Sequence, residues 1–132
     1  MQRAKGVGLY GLATLALLIV TTLAHAARPL AFDAKAFLAA QKLGNPILVE
    51  ISADWCPNCV VQHPIVDGIF CASKYSNVTR FRIDFDVHEK AAKRFNVRFL
   101  STLVLFKGKT EVARSEGELD EAKIRSMLNK AL

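Results

Sequence analysis

The sequence is short of the residues that build stapled or ligand-rich proteins. In 132 residues it has three cysteines, Cys56, Cys59 and Cys71, and three histidines. Three cysteines are too few for a disulfide scaffold, and one C-x-x-C falls short of a four-cysteine zinc site. No histidine directly follows Cys59, which excludes covalent haem attachment. The chain holds a single tryptophan, four prolines and seven glycines, and no repeat, low-complexity tract or internal linker interrupts it. It also lacks a block of like charge. Lys90, Lys93, Arg94 and Arg98 are its densest basic group, and they read as the solvated face of a helix, not as a nucleic-acid surface. What is present is length enough for one domain, with 52% hydrophobic residues to supply a core.

The first 26 residues read as an address. Arg3 and Lys5 give a positive start, and residues 7–24 carry no charge. Ala24-His25-Ala26 fits the small-x-small cleavage pattern, with the cut before Ala27. The uncharged run is also long enough to cross a membrane, so residues 1–26 are a signal peptide or an uncleaved anchor. Either way the sequence predicts an exported, periplasmic protein whose working domain is residues 27–132. No cysteine lies in this segment to carry a lipid. Cleavage would remove two basic residues and no acid, lowering the formal net charge from +6 to +4.

Along the rest of the chain, residues 30–32 suit a short edge strand. Asp33 is a helix N-cap, and Gly44 supplies the stop after Leu43. Residues 47–51 are an almost wholly apolar run, as in a strand buried on both faces. Residues 60–70 read as a helix with a kink expected at Pro64. Residues 78–85 read as a strand with Phe81, Ile83 and Phe85 on one face. A short helix is expected over 88–95. An apolar strand over 102–106 turns at Lys107-Gly108-Lys109 into a hairpin partner over 111–115. Asp120 caps a last helix whose apolar stripe is Ile124, Met127, Leu128 and Ala131. The order β-α-β-α-β-α-β-β-α implies an α/β fold, a central mixed sheet covered by helices on both faces.

The stretch that carries chemistry is Trp55-Cys56-Pro57-Asn58-Cys59. A buried strand delivers it to the start of a helix, at the C-terminal edge where open α/β sheets place their sites. A helix N-terminus favours negative charge. A cysteine there loses its proton more readily, and the thiolate is the nucleophile of disulfide exchange. A second cysteine three positions on can close a short ring with it, so the pair can store and release two electrons.

With these residues in view, residues 30–132 resemble thioredoxin. Val49-Glu50-Ile51-Ser52-Ala53-Asp54-Trp55-Cys56 is similar to that family's strand into its active site, and Cys56-Pro57-Asn58-Cys59 has its spacing. Pro64 falls at its helix kink, Val97 to Leu103 resembles the segment beside its cysteines, and Gly117 matches a glycine near the end of its last strand. The resemblance implies a thiol–disulfide oxidoreductase whose only redox group is the Cys56–Cys59 disulfide, with no separate cofactor. Cys56 would be the exposed nucleophile and Cys59 the resolving thiol. Glu50 would be a buried acid handling the proton, and burial suits a carboxyl group to base chemistry near neutrality. Arg82 stands where the family has a lysine near that acid; the alternative is a buried Glu50–Arg82 ion pair with no proton role. Trp55 would pack beside the pair, or be an ordinary core aromatic. Trp55, Pro57, Asn58, Leu100 and Ser101 would line the site. Implied partners are cysteine-containing protein substrates and a membrane thiol-electron donor.

Two departures stand out. Ser101 occupies the family's cis-proline position, and a trans bond is expected before it because a cis bond before serine is costly. Pro57-Asn58 between the cysteines matches neither the usual reducing nor the usual strongly oxidising pair of that family. Cys71 lies ~18 Å along a continuous helix from Cys59, too far to pair, and reads as a buried structural thiol. His63 and His88 read as surface histidines, although His63 is one turn past Cys59. Two other readings stand beside the enzyme: a metal or iron–sulfur carrier using Cys56 and Cys59, and a non-catalytic interaction module.

Overall fold

The structure, a computed structural model, describes residues 28–132. The expected leader and its cleavage site before Ala27 lie outside the described residues. Nine principal elements follow in the expected order: β1 (Leu30–Ala31), α1 (Ala34–Leu43), β2 (Pro46–Ser52), α2 (Pro57–Ile69), β3 (Thr79–Asp84), α3 (Glu89–Arg94), β4 (Thr102–Lys107), β5 (Thr110–Glu116) and α4 (Glu121–Leu128). They form one mixed sheet ordered β1-β3-β2-β4-β5. β1, β3 and β2 run parallel, while β4 and β5 are antiparallel additions beyond β2.

Local chemistry sets the helix ends. The Asp33 carboxylate accepts from the Ala36 N–H at 2.8 Å, and Gly44 closes α1 in the left-handed conformation with φ 74°. The Asp120 carboxylate accepts from the Lys123 N–H at 3.0 Å to start α4. α2 starts at Pro57, three residues before the expected position, with Cys56 as its N-cap. Proline's fixed φ suits the first helical position, where no N–H is needed. Pro64 sits inside α2 without ending it.

β2 is the central strand, and the sheet buries it on both faces. Leu48, Leu103 and Leu105 pack with Val66 and Ile69 of α2 and Ile124, Met127 and Leu128 of α4. On the opposite face Val49, Ile51, Phe81, Ile83 and Val104 pack with Phe37 and Ala40 of α1 and Ala92 of α3. Each fully buried aliphatic side chain contributes about 1.5–3 kcal/mol. These two layers hold the C-terminal end of β2, and the turn that follows it, in a fixed place.

Cys71 departs from expectation: it is exposed and unbonded to another cysteine. α2 ends at Ile69, and its apolar face finishes with the buried Ile69 and Phe70. Cys71 falls in the turn beyond, where its thiol lies 3.6 Å from the Asp67 carbonyl oxygen.

Candidate active site

The turn leaving β2 carries Ala53 to Trp55 to the edge of the sheet, and Cys56 caps α2. Cys56 and Cys59 are joined as a disulfide, with Cα atoms 5.3 Å apart, and the Cys56 sulfur accepts from the Cys59 N–H at 3.2 Å. A backbone donor on this sulfur, at a helix N-terminus, stabilises the thiolate that reduction would release. Cys59 is fully buried and Cys56 is 5% exposed. Cys56, expected as an exposed nucleophile, is thus buried too, though less completely than Cys59.

The other expected lining residues converge here. Pro57 opens α2. Asn58 donates its amide to the Gly117 carbonyl at 3.2 Å. Gly117 has φ 67°, which strains any L side chain, and a Cβ there would crowd the Asn58 amide nitrogen at 3.2 Å. Leu100 packs against the Ala53–Cys56–Cys59 cluster. Asn58, Phe99, Leu100, Glu116 and Gly117 line a shallow groove of about 450 Å³ beside the cysteines. Trp55 is not a core aromatic: it is 65% exposed, and its indole N–H donates to the Asp86 carboxylate at 2.8 Å.

Ser101 is fully buried, and the described chain contains no cis peptide bond. The backbone reaches this trans arrangement through a left-handed φ of 60° at Ser101. The Ser101 carbonyl accepts from the Gly117 N–H at 3.0 Å and the Gln62 side-chain amide at 3.2 Å, while its buried hydroxyl has no protein partner. Gln62 also donates to the Glu118 carbonyl at 2.8 Å. It thereby ties α2 to both loops that flank the pair.

β2 and β3 also carry a charged cluster. Glu50, 2% exposed on β2, faces Arg82 in the β3 register. Arg82 donates to Glu50 Oε2 at 2.8 Å, and Arg80 donates to Oε1 at 2.7 Å. Arg80 also donates to Asp67 at 2.7 Å and lies 4.4 Å from the Phe70 ring centroid. The sequence reading found Arg82 but missed Arg80, which is the more buried of the two. The signal was available: residues two apart on a strand share a face. Gln62 and Asp86 were also missed, and no sequence pattern marks their long-range partners. His63 is half-buried. Burial holds its imidazole below the usual range, as do the charges of Arg82 and Arg80, against the opposing pull of Glu50 and Asp67. Among the described residues, no group of three or more His, Cys, Asp or Glu side chains converges as a metal cage.

A mixed sheet that sets a closed dithiol at a helix N-terminus defines a class of disulfide-exchange proteins. Comparison with known proteins agrees. The thioredoxin family profile matches residues 30–130. The chain is similar to the thioredoxin of Chlamydia pneumoniae, 34% identical over 84 residues, covering 64% of this chain and 80% of that protein. The crystal structure of Trxlp from Edwardsiella tarda EIB202 superposes with a TM-score of 0.73 at 33% identity, covering 76% of this chain and 98% of that one. Thioredoxin NaTrxh from Nicotiana alata gives 0.70 at 26% identity, over 80% and 93% of the two chains. The chain belongs to the thioredoxin family. It is a thiol–disulfide oxidoreductase whose redox group is the Cys56–Cys59 disulfide, in a family that acts on cysteine-containing proteins.

Proposed function

We propose that this oxidoreductase works outside the cytoplasm, in the periplasm, after residues 1–26 direct its export as a signal peptide or anchor. The observation that carries this reading is the charged start, uncharged run and Ala24-His25-Ala26 site at the N-terminus. Fusing residues 1–26 to a reporter active only after export tests it. Reporter activity outside the cytoplasm is the expected result, and retention inside would overturn it. Because that compartment is oxidising, a reductant there needs electrons from elsewhere, and a membrane thiol-electron donor fits the need.

In the exchange itself, Cys56 attacks or is attacked, a mixed disulfide forms through Cys56, and Cys59 resolves it. Trp55, Pro57, Asn58, Leu100 and Ser101 form the surface that receives the substrate. The exposed indole of Trp55 and the groove beside Phe99 supply apolar contact around a recessed disulfide. Glu50 is a buried acid that can exchange a proton behind the pair. Both of its oxygens are held by guanidinium groups, and Arg82 is the less buried of the two partners.

A further inference from the structure

Resolution by Cys59 needs a proton acceptor for a thiol that is fully buried. Glu50 has both oxygens engaged by arginines. One other titratable side chain on the same helix lies a single turn away. We infer that His63 is the direct proton acceptor for the Cys59 thiol. The inference rests on the redox reading of the Cys56–Cys59 pair.

Two observations carry it. His63 follows Cys59 by four positions within α2. Residues so spaced are stacked on one helix face, one turn apart. The His63 Nε2 atom is buried and has no protein hydrogen-bond partner. A buried ring nitrogen left so carries a desolvation cost that a partner would remove. In the oxidised pair Cys59 has no proton to offer. In the reduced pair its S–H is a donor, so the unused acceptor and the new donor arise on adjacent turns of one helix.

The surroundings keep the ring ready. Asp67 from α2, Glu50 from β2, and Arg80 and Arg82 from β3 act on His63, and burial with the two arginines outweighs the acids. The imidazole is therefore neutral near pH 7, with a lone pair free to take a proton. The step balances. The Cys59 S–H proton passes to His63, and the thiolate attacks the Cys56 sulfur. The Cys56–substrate S–S bond breaks, and the substrate sulfur leaves with the electron pair. That sulfur then takes the proton from the imidazolium. The dithiol is oxidised, and the substrate disulfide is reduced.

The test uses 5,5′-dithiobis(2-nitrobenzoate) and, as parent, the reduced full chain carrying Cys71→Ser, which removes the exposed third thiol. Its first coloured thiolate reports attack by Cys56, and the second reports resolution by Cys59. With His63→Gln, the first phase should keep its rate at pH 7. The second should slow about a hundredfold and then climb with pH, as hydroxide replaces the lost base. Added imidazole should restore the second phase in His63→Ala, which also serves if the glutamine variant folds poorly. An unchanged second phase and pH profile in His63→Gln would overturn the inference. If the parent protein gives no second thiolate, the redox reading itself has failed; a normal parent with a normal His63→Gln variant removes His63 only.

Discussion

Ser101 and His63 are the two residues whose environments ask most of their side chains. Ser101 sits at φ 60° with a buried, unpartnered hydroxyl. A left-handed position costs an L-residue about 1–2 kcal/mol, and glycine is free of that cost but loses about 0.5–1 kcal/mol in chain entropy. Ser101→Gly should therefore stabilise the fold by roughly 0.5–1 kcal/mol, read as a higher urea midpoint. Ser101→Pro should destabilise it, because proline requires φ near −65°. A Ser101→Gly variant clearly weaker than the parent would mean that the hydroxyl has a stabilising role. His63 gives a pH effect. Its folded-state pKa lies below the ordinary value of 6.5, so near and below that pH the unfolded chain binds more protons than the folded one. This contribution to stability is present in full above about pH 6.5 and is lost as the pH falls. Denaturation midpoints measured from pH 8 to 5 should fall less steeply in His63→Gln than in the parent. Exposure was the property least legible at this scale. Trp55 and Cys71 are apolar by type yet both face solvent, because one lies in a turn and the other beyond the end of its helix.

At the scale of elements, β2 and β3 matter most. They place one buried carboxylate against two arginines spaced by two residues. Arg80 is 1% exposed and also holds Asp67, whereas Arg82 is 28% exposed. Breaking a buried pair by removing one partner costs about 3–5 kcal/mol, and partly exposed pairs cost much less. Arg80→Met should therefore destabilise the protein severely and Arg82→Met by about 1 kcal/mol. Equal effects in chemical denaturation would contradict this ranking. The helix caps give a second test. Asp33→Ala should cost about 1 kcal/mol by removing the acceptor for the Ala36 N–H, again read from the denaturation midpoint. Strands and helices were legible because apolar runs, alternation, Asp caps and Gly44 all speak locally. The exception was the start of α2. Its cap is a cysteine, a residue with no capping signature, and the helix therefore looked three residues shorter.

For the molecule as a whole, the mixed sheet with helices on both faces followed from the order of elements and from a central strand with no polar alternation. That same apolar run held the one acid, Glu50, which made it conspicuous. The site was legible where it is contiguous, from Trp55 to Cys59. It was not legible where it depends on chain segments brought together by folding. Gln62 bridges Ser101 and Glu118, Asn58 reaches Gly117, and Arg80 closes on Glu50 from another strand. The central claim is that Cys56 and Cys59 form a reversible two-electron couple. The most direct measurement is the reduction potential of the pair, by thiol alkylation after equilibration in glutathione or dithiothreitol buffers. The account predicts a single reversible two-electron transition between about −270 and −120 mV, absent in Cys56→Ser and in Cys59→Ser. A pair that does not cycle at all, or a transition that persists in either variant, would contradict it.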